Sequence, residues 1–313
     1  MQRLSIQLGV IVLLAMFSVG CDSFIKAWMV QSPNHDDRAP ASPSDAWWLN
    51  LLHVDREMFA TVAPGVTLRL WAIEPDPAKT PGHKPRGTIL VLHGHLDHST
   101  VMLIKGHDLA AAGYRAIMVD MRGHGGSSGQ YTTFGALESR DLIKVIDDLQ
   151  AQGLIEGRLG VWGMSMGAAT AIQLAGRDPR VRAVVAVAPY TNLRAVGAHA
   201  IRVFIPLRGW WLSETDIQRL ITEAGDMAGF DPDEADALAA IKRTDAPVLI
   251  ASGCWDIVVP HAQSVELHDA APDHSRLISL PLTGHILAGV DLGGQIKRAS
   301  IAWFDQHLVE SVE

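Results

Sequence analysis

Residues 159–175 read Leu-Gly-Val-Trp-Gly-Met-Ser-Met-Gly-Ala-Ala-Thr-Ala-Ile-Gln-Leu-Ala. A short apolar run, LGVW, meets the pentapeptide Gly163-Met164-Ser165-Met166-Gly167, and the helix-forming AATAIQLA follows. A strand joined to a helix through G-x-S-x-G is the pattern of a nucleophile carried on a tight turn. The serine takes a strained backbone conformation there, and the two glycines remove Cβ atoms that would clash. Such a turn lifts the hydroxyl above a sheet, and the helix N-terminus behind it favours developing negative charge. The pentapeptide alone is a weak signal in a chain with 28 glycines, and residues 125–129 (GGSSG) match it as well. Context separates the two. Ser127 lies in a glycine-rich stretch followed by Gln-Tyr-Thr-Thr, with no helix starting on it. Ser165 is therefore the expected nucleophile and Ser127 a loop residue.

Outward from this stretch, short apolar runs alternate with longer helical ones. Strands are expected at Val66–Ile73, Thr88–His93, Arg115–Asp120, Leu159–Trp162, Val181–Ala188, Pro247–Ser252 and Arg276–Leu280, and helices at Leu103–Ala112, Gly135–Gln152, Met166–Ala175 and Gln295–Val309. Continuous runs such as TILVLH suit strands buried on both faces, so the alternation implies an α/β domain with a mainly parallel, doubly wound sheet. Trp47–Val62 reads as a stretch holding a short helix. Between Ala188 and Pro247 lie roughly sixty residues, far longer than an ordinary connection. They read as an inserted helical lid over about 191–245, with Trp210 and Trp211 packed within it ahead of lining a pocket or touching a membrane.

A serine hydroxyl needs a base in hydrogen-bond reach, and the base needs an acid to orient it. In this strand order the acid and base follow the serine. Asp256 comes just past PVLIAS, and His285 follows the last strand in LTGHIL. His261, His268 and His274 are weaker candidates for the base. The oxyanion requires two backbone donors, expected from the N–H of Met166 and from the loop after TILVLH, at His95 or its neighbour Leu96.

The sequence resembles the α/β-hydrolase superfamily. VLHG (91–94), GYRAIMVDMRGHGGSSG (113–129), GMSMG (163–167), GCWDIVVP (253–260) and TGH (283–285) carry the likeness, which spans about residues 66–310. It implies the α/β-hydrolase fold with a lid, as in esterase, thioesterase and peptidase-like members. Cys254-Trp255 departs from the small or acidic residues usual before the aspartate. The resemblance also implies that Asp120 and Arg122 brace the loop after their strand, and Cys254 reads as a small packing residue. A small-molecule acyl substrate is expected, an ester ahead of a thioester or peptide because esters need less help in expelling the leaving group. No cofactor and no metal are implied.

Two other readings stand beside it. His93-Gly-His95-Leu-Asp97-His98 spells H-x-H-x-D-H, a zinc-ligand pattern of metallo-β-lactamases, which would need further ligands such as His124 or His285. It would leave Ser165 and Asp256 without purpose. A catalytically silent binding lipoprotein on the same fold is the other.

Of the 313 residues 48% are hydrophobic, and the formal net charge is −8. No Lys/Arg-rich run offers a nucleic-acid surface. Residues 1–20 read as an export signal: Arg3, then the uncharged apolar run Gly9–Val19, too short to span a bilayer comfortably. Gly20-Cys21 resembles a bacterial lipoprotein signal in which Cys21 is lipidated, although Ser18 stands where Leu is usual; an uncleaved anchor is the alternative. Residues 21–46 then read as a Pro/Ser/Asp-rich tether and 47–313 as the catalytic domain, exported and held on the periplasmic side of a bacterial membrane.

Overall fold

The computed structural model describes residues 22–34, 44–76, 80 and 84–309. The expected export signal and Cys21 lie outside them. The described strands are β1 (Arg56–Ala63), β2 (Val66–Ile73), β3 (Thr88–Leu92), β4 (Arg115–Val119), β5 (Leu159–Met164), β6 (Val181–Val187), β7 (Val248–Gly253) and β8 (Ser275–Leu280). They form one eight-stranded sheet in the order β1-β2-β4-β3-β5-β6-β7-β8. β1 and β2 pair antiparallel, as do β2 and β4; β4 onward to β8 is parallel. The chain leaves β3 toward β4 and returns on the other side as β5. The crevice this reversal opens, at the carboxyl ends of β3 and β5, is where open α/β sheets place ligands.

The helices are α1 (residues 22–30), α2 (Ala46–Leu51), α3 (Leu103–Ala111), α4 (Glu138–Ala151), α5 (Met166–Ala175), α6 (Leu193–Phe204), α7 (Arg208–Trp211), α8 (Glu214–Ala228), α9 (Ala237–Ile241), α10 (His261–Asp269), α11 (His285–Val290) and α12 (Gln295–Leu308). One apolar core lies between the sheet and α4, α5 and the inserted helices; the other lies between the sheet and α3 and α12. Two covered faces explain why β3 to β7 read as unbroken apolar runs rather than alternating ones. The insertion of α6–α9 between β6 and β7 is the expected lid.

Three expectations need correction. The stretch 47–62 holds more than a short helix, because β1 follows α2 and pairs with β2 through the turn at Pro64-Gly65. Residues 22–34 are not tether: Ile25, Met29 and Val30 are buried in the main core, Gln31 bridges to Tyr131, and the Asn34 amide donates to the carbonyls of Gly125 and Ser127. The apolar residues of α1 resume only after Asp22-Ser23, close enough to the apolar N-terminal run for their helical spacing to be read as part of it. Trp210 and Trp211 do not pack within the lid; they are 67% and 84% exposed.

Candidate active site

Ser165 stands between β5 and α5 with φ +54° and ψ −114°, the strained conformation the turn demands. Its amide is pinned by a 2.7 Å hydrogen bond to the carbonyl of Val187 at the end of β6. The flanking glycines are sterically obligatory. A Cβ on Gly163 would lie 2.2 Å from the carbonyl oxygen of Gly167, and one on Gly167 would lie 2.5 Å from that of Leu92.

The loops after β7 and β8 bring the other two residues in. With the imidazole proton on Nδ1, His285 donates to Asp256 Oδ2 at 2.6 Å. Its Nε2 then accepts from Ser165 Oγ at 3.0 Å. Asp256 Oδ1 accepts the amides of Val258 and Val259, both at 2.8 Å. The carboxylate is thus fixed by the backbone on one oxygen and turned toward the imidazole with the other. The three residues expected from the sequence converge, whereas His261, His268 and His274 are tied to Ser252, Ser275 and the Ile241 carbonyl.

The loop after β3 closes the other side. Gly94 packs against Ser165, with a Cβ there falling 3.7 Å from that of the serine. His95 and Met166 line the cavity beside Ser165. The ring of His95 stacks on Phe134 and approaches His124. Burial, reinforced by His124, lowers its pKa to about 4, so it is neutral at pH 7. His93 beneath it donates from Nδ1 to the Gly94 carbonyl and accepts the Met121 amide at Nε2; burial and His124 lower its pKa to about 3.

Both nitrogens of His93 are thereby committed to holding two loops together, which removes it as a zinc ligand. Among the described residues no group of three or more His, Cys, Asp or Glu side chains is placed to hold a metal. Asp120 supports the same loop, accepting from the Ser99 and Gly126 amides and from Arg69. Burial pushes its carboxyl up, but the Arg69 guanidinium and these amides outweigh that and hold it below the usual range. Arg122 pairs with Asp141 through two hydrogen bonds. Ser127 donates to the Asp120 carbonyl and is buried, a structural loop residue. Cys254, expected as a packing residue, is instead an exposed free thiol.

Beside Ser165 lies a cavity of about 140 Å³. Its walls are apolar: Phe134, Tyr190 and Val259 from the body, Leu193, Val196 and Phe204 from α6. Sequence reasoning missed two further wall residues, Trp28 and Met29, because α1 had been assigned to a tether. The i, i+4 pair Ile25/Met29 was the available signal.

A strained serine at the switch point of a mostly parallel sheet, under a helical insertion, defines a class: the chain has the α/β-hydrolase fold, and its matches to known proteins support a serine hydrolase. A family model described as serine aminopeptidase, S33, matches residues 83–227. An uncharacterized protein of Mycobacterium tuberculosis is 27% identical over 237 residues, covering 75% of this chain and 74% of that protein. The fold is similar to that of an esterase from Pyrococcus furiosus, with a TM-score of 0.65 and 21% identity over 87% of this chain and 100% of that one. It is also similar to an acylaminoacyl peptidase from Pyrococcus horikoshii, with a TM-score of 0.62 and 17% identity over 87% of this chain and 45% of that one.

Proposed function

We propose that this protein cleaves a carboxylic ester through an acyl-enzyme on Ser165, with His285 as general base and Asp256 as the acid that orients it. The observation that carries the reading is the unbroken chain from Ser165 Oγ to His285 Nε2 at 3.0 Å and from Nδ1 to Asp256 at 2.6 Å. Ser165 Oγ bonds to the acyl carbon while His285 takes its proton, and Asp256 offsets the charge on the imidazolium. The amides of Met166 and His95 receive the oxyanion. The carbon–oxygen bond to the alcohol then breaks, and His285 returns the proton to the leaving oxygen. Water attacks the acyl-enzyme by the same route, releasing the acid and restoring Ser165.

The cavity favours an uncharged acyl group. Among the described residues no acidic residue lines it, and His95 is neutral at pH 7, so none of these would hold the free ammonium group of an aminopeptidase substrate. Export, lipidation at Cys21 and a periplasmic location belong to this proposal as its cellular setting.

The test is labelling by a fluorophosphonate probe, together with turnover of p-nitrophenyl butyrate. The wild-type chain is expected to be labelled, and Ser165→Ala to lose labelling and at least about 10⁴-fold in turnover. Labelling of the variant, or activity that survives it and vanishes with chelator, overturns the assignment.

A further inference from the structure

Several large apolar side chains stand in solvent beside the cavity. Trp28 and Phe204 line it and are also 38% and 44% exposed, so they form its mouth. Phe24 lies one helical turn before Trp28 on the same face of α1 and is exposed. Leu207, Trp210 and Trp211 follow Phe204 and are exposed as well. Leu207 is held at φ +68°, and the Trp210 indole N–H is bonded to the Arg202 carbonyl, so this display is built rather than loose. Contiguous apolar surface of this kind on a soluble protein marks a partner.

The chain itself indicates which partner. Asp22 accepts from Arg208 at 3.0 Å, on the helix that carries both tryptophans, and from Arg219 of α8 at 3.2 Å, which fastens the first described residue to both helices. One residue earlier is Cys21, and the run Gly9–Val19 precedes it. A single residue spans about 3.8 Å. Residues 22–34 are packed into the domain, so a chain anchored ahead of Asp22 has no free linker between Asp22 and α7. An anchored chain therefore holds Trp210 and Trp211 against the bilayer, and tryptophan is the residue that partitions to the headgroup level.

We propose that the outer face of α1 and the α6–α7 corner form a membrane-docking face, and that the substrate is an acyl amphiphile that passes from the bilayer between Trp28 and Phe204 to Ser165. The substrate half rests on the hydrolase reading above; the docking half rests only on the anchoring proposed with it, not on hydrolysis. Neither Trp210 nor Trp211 lines the cavity, so they can be changed without altering it.

The full chain, reconstituted in phosphatidylcholine/phosphatidylglycerol vesicles, would be compared with a Trp210→Ser/Trp211→Ser double variant. Tryptophan quenching by bromine-labelled lipid is expected in the wild type and should fall at least twofold in the variant. Turnover of soluble p-nitrophenyl butyrate is expected to stay within twofold, while turnover of a long-chain ester embedded in the vesicles falls at least tenfold. Unchanged quenching overturns the docking face. So does a detergent-solubilised dimer that the double variant dissociates, since a second copy would then cover the patch. Equal loss of both activities overturns the entry route. A wild-type chain that turns over neither ester sinks the hydrolase reading and leaves the quenching result standing.

Discussion

Asp256→Asn separates catalysis from stability, and the hydrogen bonds fix how. Oδ1 accepts two backbone amides, so the side-chain oxygen of asparagine must stay on that side; the alternative flip sets an NH₂ group against two N–H donors. The asparagine nitrogen then faces His285 Nδ1 where a carboxylate oxygen stood at 2.6 Å. To accept that donor, the imidazole must move its proton to Nε2, the atom that should receive the serine proton. The wrong tautomer costs about 10⁴-fold in kcat, or about 5.4 kcal/mol at about 1.36 kcal/mol per decade. Folding stability should change by less than about 1 kcal/mol, since the buried Val259 amide and the partly buried Val258 amide keep their acceptor. Asp256→Ala provides the contrast. It orphans both amides, at about 1–3 kcal/mol each, and should lower stability as well as rate. Initial rates on p-nitrophenyl butyrate and urea denaturation of both variants read the two quantities. An asparagine variant that keeps more than a tenth of wild-type kcat would refute the tautomer argument.

Two further outcomes are expected. Ala200 lines the cavity one turn before Phe204 on α6, so Ala200→Phe should fill space that acyl methylenes otherwise occupy. Each excluded methylene forfeits about 0.8 kcal/mol, about fourfold in kcat/KM. The rise of kcat/KM from acetate to octanoate p-nitrophenyl esters should flatten in the variant, and an unchanged slope would move the acyl site elsewhere. Acid should weaken the fold. His93 and His95 have native pKa values lowered to about 3 and about 4, against 6.5 for the free side chain. Between pH 6.5 and 4 the unfolded chain binds more protons than the native one, so stability is full above that range and is lost as pH falls. Each histidine contributes at most about 1.4 kcal/mol per pH unit. Urea midpoints at pH 7.5 and 5 should differ less in His95→Asn than in the wild type, and identical pH dependence would exclude this residue as a source.

The residues at the centre of the site were legible because chemistry and sterics constrain their sequence neighbourhood. Ser165 is announced by two glycines whose Cβ atoms would strike backbone. Asp256 is announced by its place after β7, which is buried throughout, and His285 by its place after the last strand of the alternation. β1 was not legible in the same way: it is an edge strand whose residues are mostly partly exposed, so it lacks the continuous apolar run of its neighbours. The Pro64-Gly65 turn before β2 was the signal that could have revealed the hairpin. The exposure of Cys254, Trp210 and Trp211 was hidden for another reason. Composition assigns such side chains to an interior, and only the path of the chain decides whether one is there to receive them.

The misassigned tether changes the functional picture more than any misplaced boundary. A polar linker after residue 21 would let a catalytic domain tumble above a membrane and meet soluble substrates. In the structure, Ile25, Met29 and Val30 spend that length on the core, and Trp28 becomes part of the cavity mouth. The segment that joins the apolar N-terminal run to the domain is thus the segment that walls the acyl site. If the N-terminus is anchored as proposed, a force on it would reach the cavity through α1 and the Asp22–Arg208 ion pair. Under the proposed function, anchoring and substrate selection would then be coupled by packing. It follows that loosening α1, rather than altering the triad, is the change that should alter acyl preference while leaving Ser165 reactive.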